Sequence, residues 1–235
     1  MLSYMPGRIL PLVNNEVYHI FNRGSDKRDI FLQPRDYRRF VETFYYYQFE
    51  GPKPKFSALN KSSTFFLRGF KKVLDKKGFH NFNPTLHSKL IEIFSYCLMP
   101  NHFHFLVKQL KANGISIFMS QTTNSYTKYF NTKFKRVGSL LQGTFKSVRV
   151  GTDEQLIHVS RYIHINPVVS GLVSKPQDYQ WSSYLEYAYG AKGYCSTDLI
   201  LGLFASRKEY RDFTEGQIDY GKRLELIKHQ IIDDE

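Results

Sequence analysis

Tyr96-Cys97-Leu98-Met99-Pro100-Asn101-His102-Phe103-His104-Phe105-Leu106-Val107 sets two imidazoles in the middle of an apolar, β-prone run. Burying a polar ring without a partner is costly, so these histidines need something to hold. Side chains on a strand alternate between faces, which sends His102 and His104 one way and Phe103 and Phe105 the other. The pair can therefore offer two ring nitrogens to one ion. A pair of hydrogen-bonded histidines on a half-buried strand fits the same spacing. On either reading, Ile91 to Met99 and His102 to Lys108 are two apolar runs around Pro100-Asn101, the pattern of antiparallel strands joined by a tight turn.

Working outward, Glu16 to Asn22 alternates as a strand and Asn22-Arg23-Gly24-Ser25 is turn chemistry. After Pro34, the residues Tyr37, Phe40, Val41 and Phe44 recur at helical spacing and predict a core-facing helix. Ile115, Phe118, Met119, Thr122, Tyr126, Tyr129 and Phe130 predict a second helix, followed by a basic loop from Lys133 to Gly138. A strand is expected from near Gln142 to Val150. Asp153 and Glu154 suit the first turn of a further helix, which is expected to end at Pro167. Residues 50–88 read as a surface insertion with a short basic helix over 65–76, where Lys71, Lys72, Lys76 and Lys77 offer further positive charge. The tail from Thr197 reads as two or three short helices built on Leu199, Leu203, Phe204, Tyr210, Phe213, Leu224, Ile227 and Ile231. Capping the core, forming a homodimer and contacting DNA are all open to it.

The chain of 235 residues carries a net charge of +12, which favours a polyanionic partner. From Ile93 to Thr152 it has no Asp or Glu, yet it carries Lys108, Lys111, Lys128, Lys133, Lys135, Arg136, Lys146 and Arg149. Aromatic residues interleave with these charges, a mixture suited to tracking phosphates and stacking unpaired bases. Phe118, Phe130 and Phe145 read rather as core. Two cysteines, Cys97 and Cys195, are too few for a disulfide framework or a thiolate metal site. With no apolar run near the ~20 residues a spanning helix needs and no signal peptide, a cytoplasmic protein is expected.

Met99-Pro100-Asn101-His102-Phe103-His104 followed by an apolar strand resembles the HUH motif (His, hydrophobic, His) of the single-tyrosine transposases, in the branch that includes the REP-associated tyrosine transposases. Three more segments match in order. Tyr18 to Gly24 resembles the family's first strand and turn, Gly138 to Ser147 its basic strand, and Arg161 to Val168 its catalytic helix. Gln180-Trp181-Ser182-Ser183-Tyr184 is also similar, and the likeness spans about 16–187.

The resemblance implies an α+β fold, a ferredoxin-like antiparallel sheet with helices packed on one face, here followed by a small C-terminal helical extension. Residues 1–190 would form the transposase domain, interrupted by the insertion over about 50–88, and 191–235 the extension. It makes Tyr162 the nucleophile, His102 and His104 metal ligands, and Asn166 the source of a third ligand. Tyr162 and Asn166 lie four residues apart on one helical face, so a hydroxyl and an amide can approach one point. Such donors suit Mg²⁺ or Mn²⁺, although imidazoles also hold Zn²⁺. The implied reaction cuts and rejoins single-stranded, hairpin-containing DNA through a 5′-phosphotyrosine link, with Arg23, Lys128, Lys133, Lys135, Arg136, Lys146 and Arg149 contacting the DNA. His158 and His164 could assist the tyrosine or simply pack. The competing readings are a domesticated protein that binds DNA or RNA hairpins without strand transfer, an RNA-binding sheet module, and a hydrolytic metalloenzyme acting on small phosphoesters.

Overall fold

The computed structural model describes residues 11–51, 56 and 87–223. The expected basic helix over 65–76, with its lysines, and Leu224, Ile227 and Ile231 lie outside those residues. The chain runs β1 (Val17–Arg23), α1 (Pro34–Tyr47), β2 (Ile91–Met99), β3 (His102–Gln109), α2 (Gly114–Lys133), β4 (Lys146–Val150) and α3 (Asp153–Val169). Short helices α4 (Tyr184–Ala188), α5 (Asp198–Leu201) and α6 (Arg207–Glu215) follow. The four strands form one antiparallel sheet in the order β2-β3-β1-β4, which with the βαββαβ sequence of elements is a ferredoxin-like sheet.

Alternation along β3 creates two cores. Phe103 and Phe105 face α1 and α2, where Phe103 meets Phe40 at 5.0 Å and Phe105 meets Phe44 at 5.1 Å and Phe118 at 5.9 Å between ring centroids. Each buried phenyl ring contributes about 1.5–3 kcal/mol. On the other face Leu106, Cys97 and Met99 pack with Leu156 and Ile163 of α3 and with Tyr187, Ile200 and Tyr210 from the C-terminal helices. The α+β class is as expected, and α1 and α2 share one face. Helices nevertheless occupy both faces of the sheet, because the histidine-bearing face is apolar beyond His104 and must be covered.

Local chemistry sets the boundaries. Pro34 opens α1 behind a capping box between Gln33 and Asp36, and Thr152 Oγ1 accepts from the Gln155 amide to start α3. Pro167 does not end α3, which continues to Val169. So near the C-terminus its missing N–H removes a single bond, while the Asn166 and Pro167 carbonyls accept from the Ser170 and Leu172 amides. The last strand begins at Lys146, not near Gln142, since Gly143 takes a positive φ of 61° in a turn and Leu141 forms only an isolated bridge with Gly24. A bulge between Ile93 and Ser95 turns Phe94 toward the α3 side, where its carbonyl accepts from the Tyr187 hydroxyl at 2.7 Å. The outer edge of β2 is satisfied by the chain after α3, through Leu98 N to Trp181 O, Ser183 N to Tyr96 O and Ser196 N to Ile93 O. No helix among the described residues is long and apolar enough to cross a membrane.

Candidate active site and nucleic-acid face

Residues paired across an antiparallel ladder share a face. Opposite His104 stands Phe21, opposite His102 stands Arg23, and opposite Leu106 stands His19. Three imidazoles therefore gather on one patch of sheet. His102 Nδ1 lies 2.6 Å from Asn101 Oδ1, while Asn101 Nδ2 donates to the Lys27 carbonyl at 3.2 Å. An amide oxygen only accepts, so His102 carries its proton on Nδ1 and keeps the lone pair on Nε2. His104 Nδ1 lies 2.9 Å from His19 Nε2, and the two rings stack with centroids 5.1 Å apart. His104 Nε2 is buried with no hydrogen-bond partner among the described residues.

Burial dominates the electrostatics of this patch. It brings the His19 imidazole down to about 4. For His104 desolvation, joined by the charges of His102 and His19, holds the ring well below the ordinary histidine range. Both rings are neutral near pH 7, the state in which imidazole can donate a lone pair to a cation.

Across this patch lies α3, anchored by Leu156 and Ile163 in the core beneath it. Tyr162 is 47% exposed, and its ring stands edge-on to His104 at 5.4 Å and to His19 at 6.0 Å. Asn166 follows one turn later, half-buried, its carbonyl accepting from the Ser170 amide and hydroxyl. His104 Nε2 is, among the described residues, an orphaned polar atom in the buried patch, which a cation would satisfy, so the two-histidine donor set fits a divalent ion. Among the described residues no group of three or more His, Cys, Asp or Glu side chains is arranged to hold a metal. An ion here would rest on two imidazoles, completed by an amide oxygen or water.

His158 Nδ1 sits 2.6 Å from Arg161 Nη2 on the exposed side of α3. His164 is fully buried, bonded through Nδ1 to the Tyr210 hydroxyl at 2.6 Å and through Nε2 to Ser183 Oγ at 2.8 Å. Both histidines are engaged in packing and hydrogen bonding. Tyr126 is buried, its hydroxyl donating to the Ile30 carbonyl, and Tyr129 donates to Asp36 at 2.9 Å.

The basic residues divide. Arg23 and Lys146 lie on the histidine face at the ends of β1 and β4, Arg23 Nε donating to Gln142 Oε1 at 2.5 Å. The segment after α2 leads toward them, through Ser25 N to Leu140 O and Gln142 N to Arg23 O, while Gly24 N bonds to Asn101 O in the turn between β2 and β3. Lys128 and Lys135 are exposed at the far end of α2 and beyond it, and Arg136 leans on Asn131 and the Phe130 ring. Lys133 is held 2.5 Å from the fully buried Asp36 carboxylate, and Arg149 pairs with Glu16 at 2.7 Å on the opposite face of β4. The sequence reading gave no role to His19, although its place on the first strand, two residues before Phe21, was the available signal.

A tyrosine on a helix facing two histidines of a central strand, in a ferredoxin-like sheet, is the class of arrangement that the sequence resemblance implied. Residues 68–166 match the family model described as transposase IS200-like, and the likeness to the single-tyrosine HUH transposases is borne out over the span that holds His102, His104, Tyr162 and Asn166. Among solved structures, that of a REP-associated tyrosine transposase bound to a REP hairpin is similar over 80% of this chain and 89% of that chain, at 14% identity and a TM-score of 0.49. No curated protein matches the chain.

Proposed function

We propose that the protein is a transposase that cleaves and rejoins single-stranded, hairpin-associated DNA, acting in the cytoplasm, with Tyr162 as nucleophile. The observation that carries this reading is the half-exposed Tyr162 ring set edge-on at 5.4 Å against His104, whose Nε2 lone pair is buried and unclaimed among the described residues. In the forward step the Tyr162 oxygen bonds to the scissile phosphorus and the P–O3′ bond breaks. The phenol's proton is lost and the departing oxygen gains one, leaving a 5′-phosphotyrosine and a free 3′-OH. One phosphoester replaces another, so attack by a 3′-OH reverses the step and joins strands without a nucleotide cofactor.

His102, His104 and the Asn166 amide would hold Mg²⁺ or Mn²⁺, which when bound supplies charge stabilisation at the phosphate and favours the phenolate. The Asn101 amide oxygen, by accepting from His102 Nδ1, fixes the tautomer in which Nε2 carries the lone pair. The fold of α3 holds the phenol where a strand laid along the histidine face meets it, so positioning contributes much of the rate. Arg23 and Lys146, beside the imidazoles, contact phosphates nearest the cut, while Lys128, Lys135 and Arg136 meet the hairpin further out. Lys133 and Arg149 reach DNA only by loosening their carboxylate partners. By this reading residues 1–190 would make up the catalytic domain and 191–235 an extension, whose Ser196, Ile200 and Tyr210 pack back onto it.

The test is to incubate the protein with labelled hairpin DNA bearing a single-stranded flank, plus Mn²⁺, and to look for a covalent adduct on a denaturing gel. An adduct is expected. Hairpin binding with no adduct over a range of flanks and metals would replace this reading with that of a binding protein without strand transfer.

A further inference from the structure

We infer that His19 is the positioning residue for His104, accepting a hydrogen bond from His104 Nδ1 so that Nε2 faces the cation; this rests on the metal-dependent reading above. The two nitrogens are 2.9 Å apart, so one ring donates and the other accepts. If His19 were the donor, His104 would carry its proton on Nε2, leaving a buried N–H without a partner among the described residues. Such an orphan is costly. With His104 as donor the buried atom is a lone pair, and a cation satisfies it.

Metal-binding histidines commonly donate their second nitrogen to a carboxylate or carbonyl, which fixes tautomer and ring angle. This chain has no Asp or Glu from Ile93 to Thr152. The part is taken for His102 by the Asn101 amide oxygen and for His104 by an imidazole. Both acceptors are uncharged. An ion held here would therefore not have its positive charge offset by orienting carboxylates, and that charge would remain available to a phosphate. His19 is well placed for this work because its ring stacks on His104 and abuts Phe21 at 5.0 Å, which limits both rings to one orientation.

The test uses the full chain. Mn²⁺ binding is measured from the electron paramagnetic resonance signal of free Mn²⁺, alongside thermal unfolding and metal-free hairpin binding in EDTA. His19→Leu removes the acceptor and should weaken Mn²⁺ binding by about 10–100-fold. His19→Gln, whose amide oxygen reaches the position of the imidazole Nε2, should recover most of it, and hairpin binding in EDTA should match wild type for both. His19→Asn, too short to reach His104, serves as the second loss variant should the Leu variant fail to fold. Wild-type Mn²⁺ affinity in a folded Leu or Asn variant would overturn the inference. So would a Gln variant as weak as Leu, since packing or direct ligation by His19 would then be the cause. Failure of the wild-type chain to bind Mn²⁺ at all would overturn the metal-dependent reading itself, which distinguishes the two failures.

Discussion

Three tyrosines compete for the role of nucleophile, and their surroundings predict a double dissociation when each is changed to Phe. Tyr126 is fully buried and its hydroxyl is the donor to the Ile30 carbonyl. Tyr126→Phe leaves that carbonyl unsatisfied in the core, at a cost of about 1–3 kcal/mol. Tyr129→Phe takes one donor from Asp36, which keeps Lys133 and the Leu32 and Gln33 amides, so a loss of about 1 kcal/mol is expected. Tyr162 is 47% exposed, and water can replace whatever its hydroxyl touches, so Tyr162→Phe should change stability by no more than about 0.5 kcal/mol. Urea unfolding reads these differences, and covalent capture of labelled hairpin DNA reads the chemistry. The expected result is inverse: the variant that costs least stability loses all capture, and the two that cost more keep it. An adduct mapped by peptide sequencing to Tyr126 or Tyr129 would refute the assignment. So would a Tyr162→Phe variant destabilised by more than about 2 kcal/mol, because lost capture could then reflect lost structure.

Other perturbations follow from the same geometry. His102→Ala and His104→Ala should abolish cleavage while retaining most hairpin affinity, which phosphate contacts supply; parallel loss of both in a folded variant would count against a metal role. Single-strand affinity should fall by at least about tenfold between roughly 50 and 200 mM salt if several phosphates are contacted. Arg23→Ala should lower the salt slope by about 1 with stability unchanged, whereas Lys133→Ala, which strands the buried Asp36 carboxylate, should cost about 2–3 kcal/mol with little effect on the slope. Burial pushes the Glu42 carboxyl up to about 8, against the pull of Arg39 and Arg38. The unfolded chain releases that proton near 4.5 and the folded chain keeps it to about 8, so folding binds the extra proton in between and stability falls as pH rises through that window. The slope should approach about 1 kcal/mol per pH unit and flatten in Glu42→Gln, as followed by urea midpoints at several pH values.

Period and alternation made the strands around Pro100-Asn101, both crossover helices and the start of α3 legible, because these signals are local. The two faces of β3 were legible for the same reason. The cover on the histidine face was not, since nothing in the run from His102 to Val107 tells which later segment packs on Leu106. Pro167 misled because its cost depends on place: in the last turn of α3 it removes one bond and the helix continues. Lys133 was read as a free cation when its partner, Asp36, sits 97 residues away in sequence. His19 was missed for the same reason, its partner lying 85 residues distant, so that only the pairing of β1 with β3 brings the rings together. Tyr162, His102, His104 and Asn166 were picked out as candidates through family pattern alone. The company they keep required the fold.

His164 ties the back of α3 to Ser183 and Tyr210, and Tyr210 shares a further bond with Ser160 at 2.7 Å, all within the buried core. Tyr162 sits between Ser160 and His164 on that same helix. Swinging the phenol outward with its helix would tear a chain of hydroxyls and imidazole out of a dry interior and leave each group unsatisfied, a toll of several kcal/mol. The tail thus acts as a backstop. On the proposed reading the blade is fixed and the thread moves: the strand would have to be brought to Tyr162, because the helix that carries the phenol is held in place from behind.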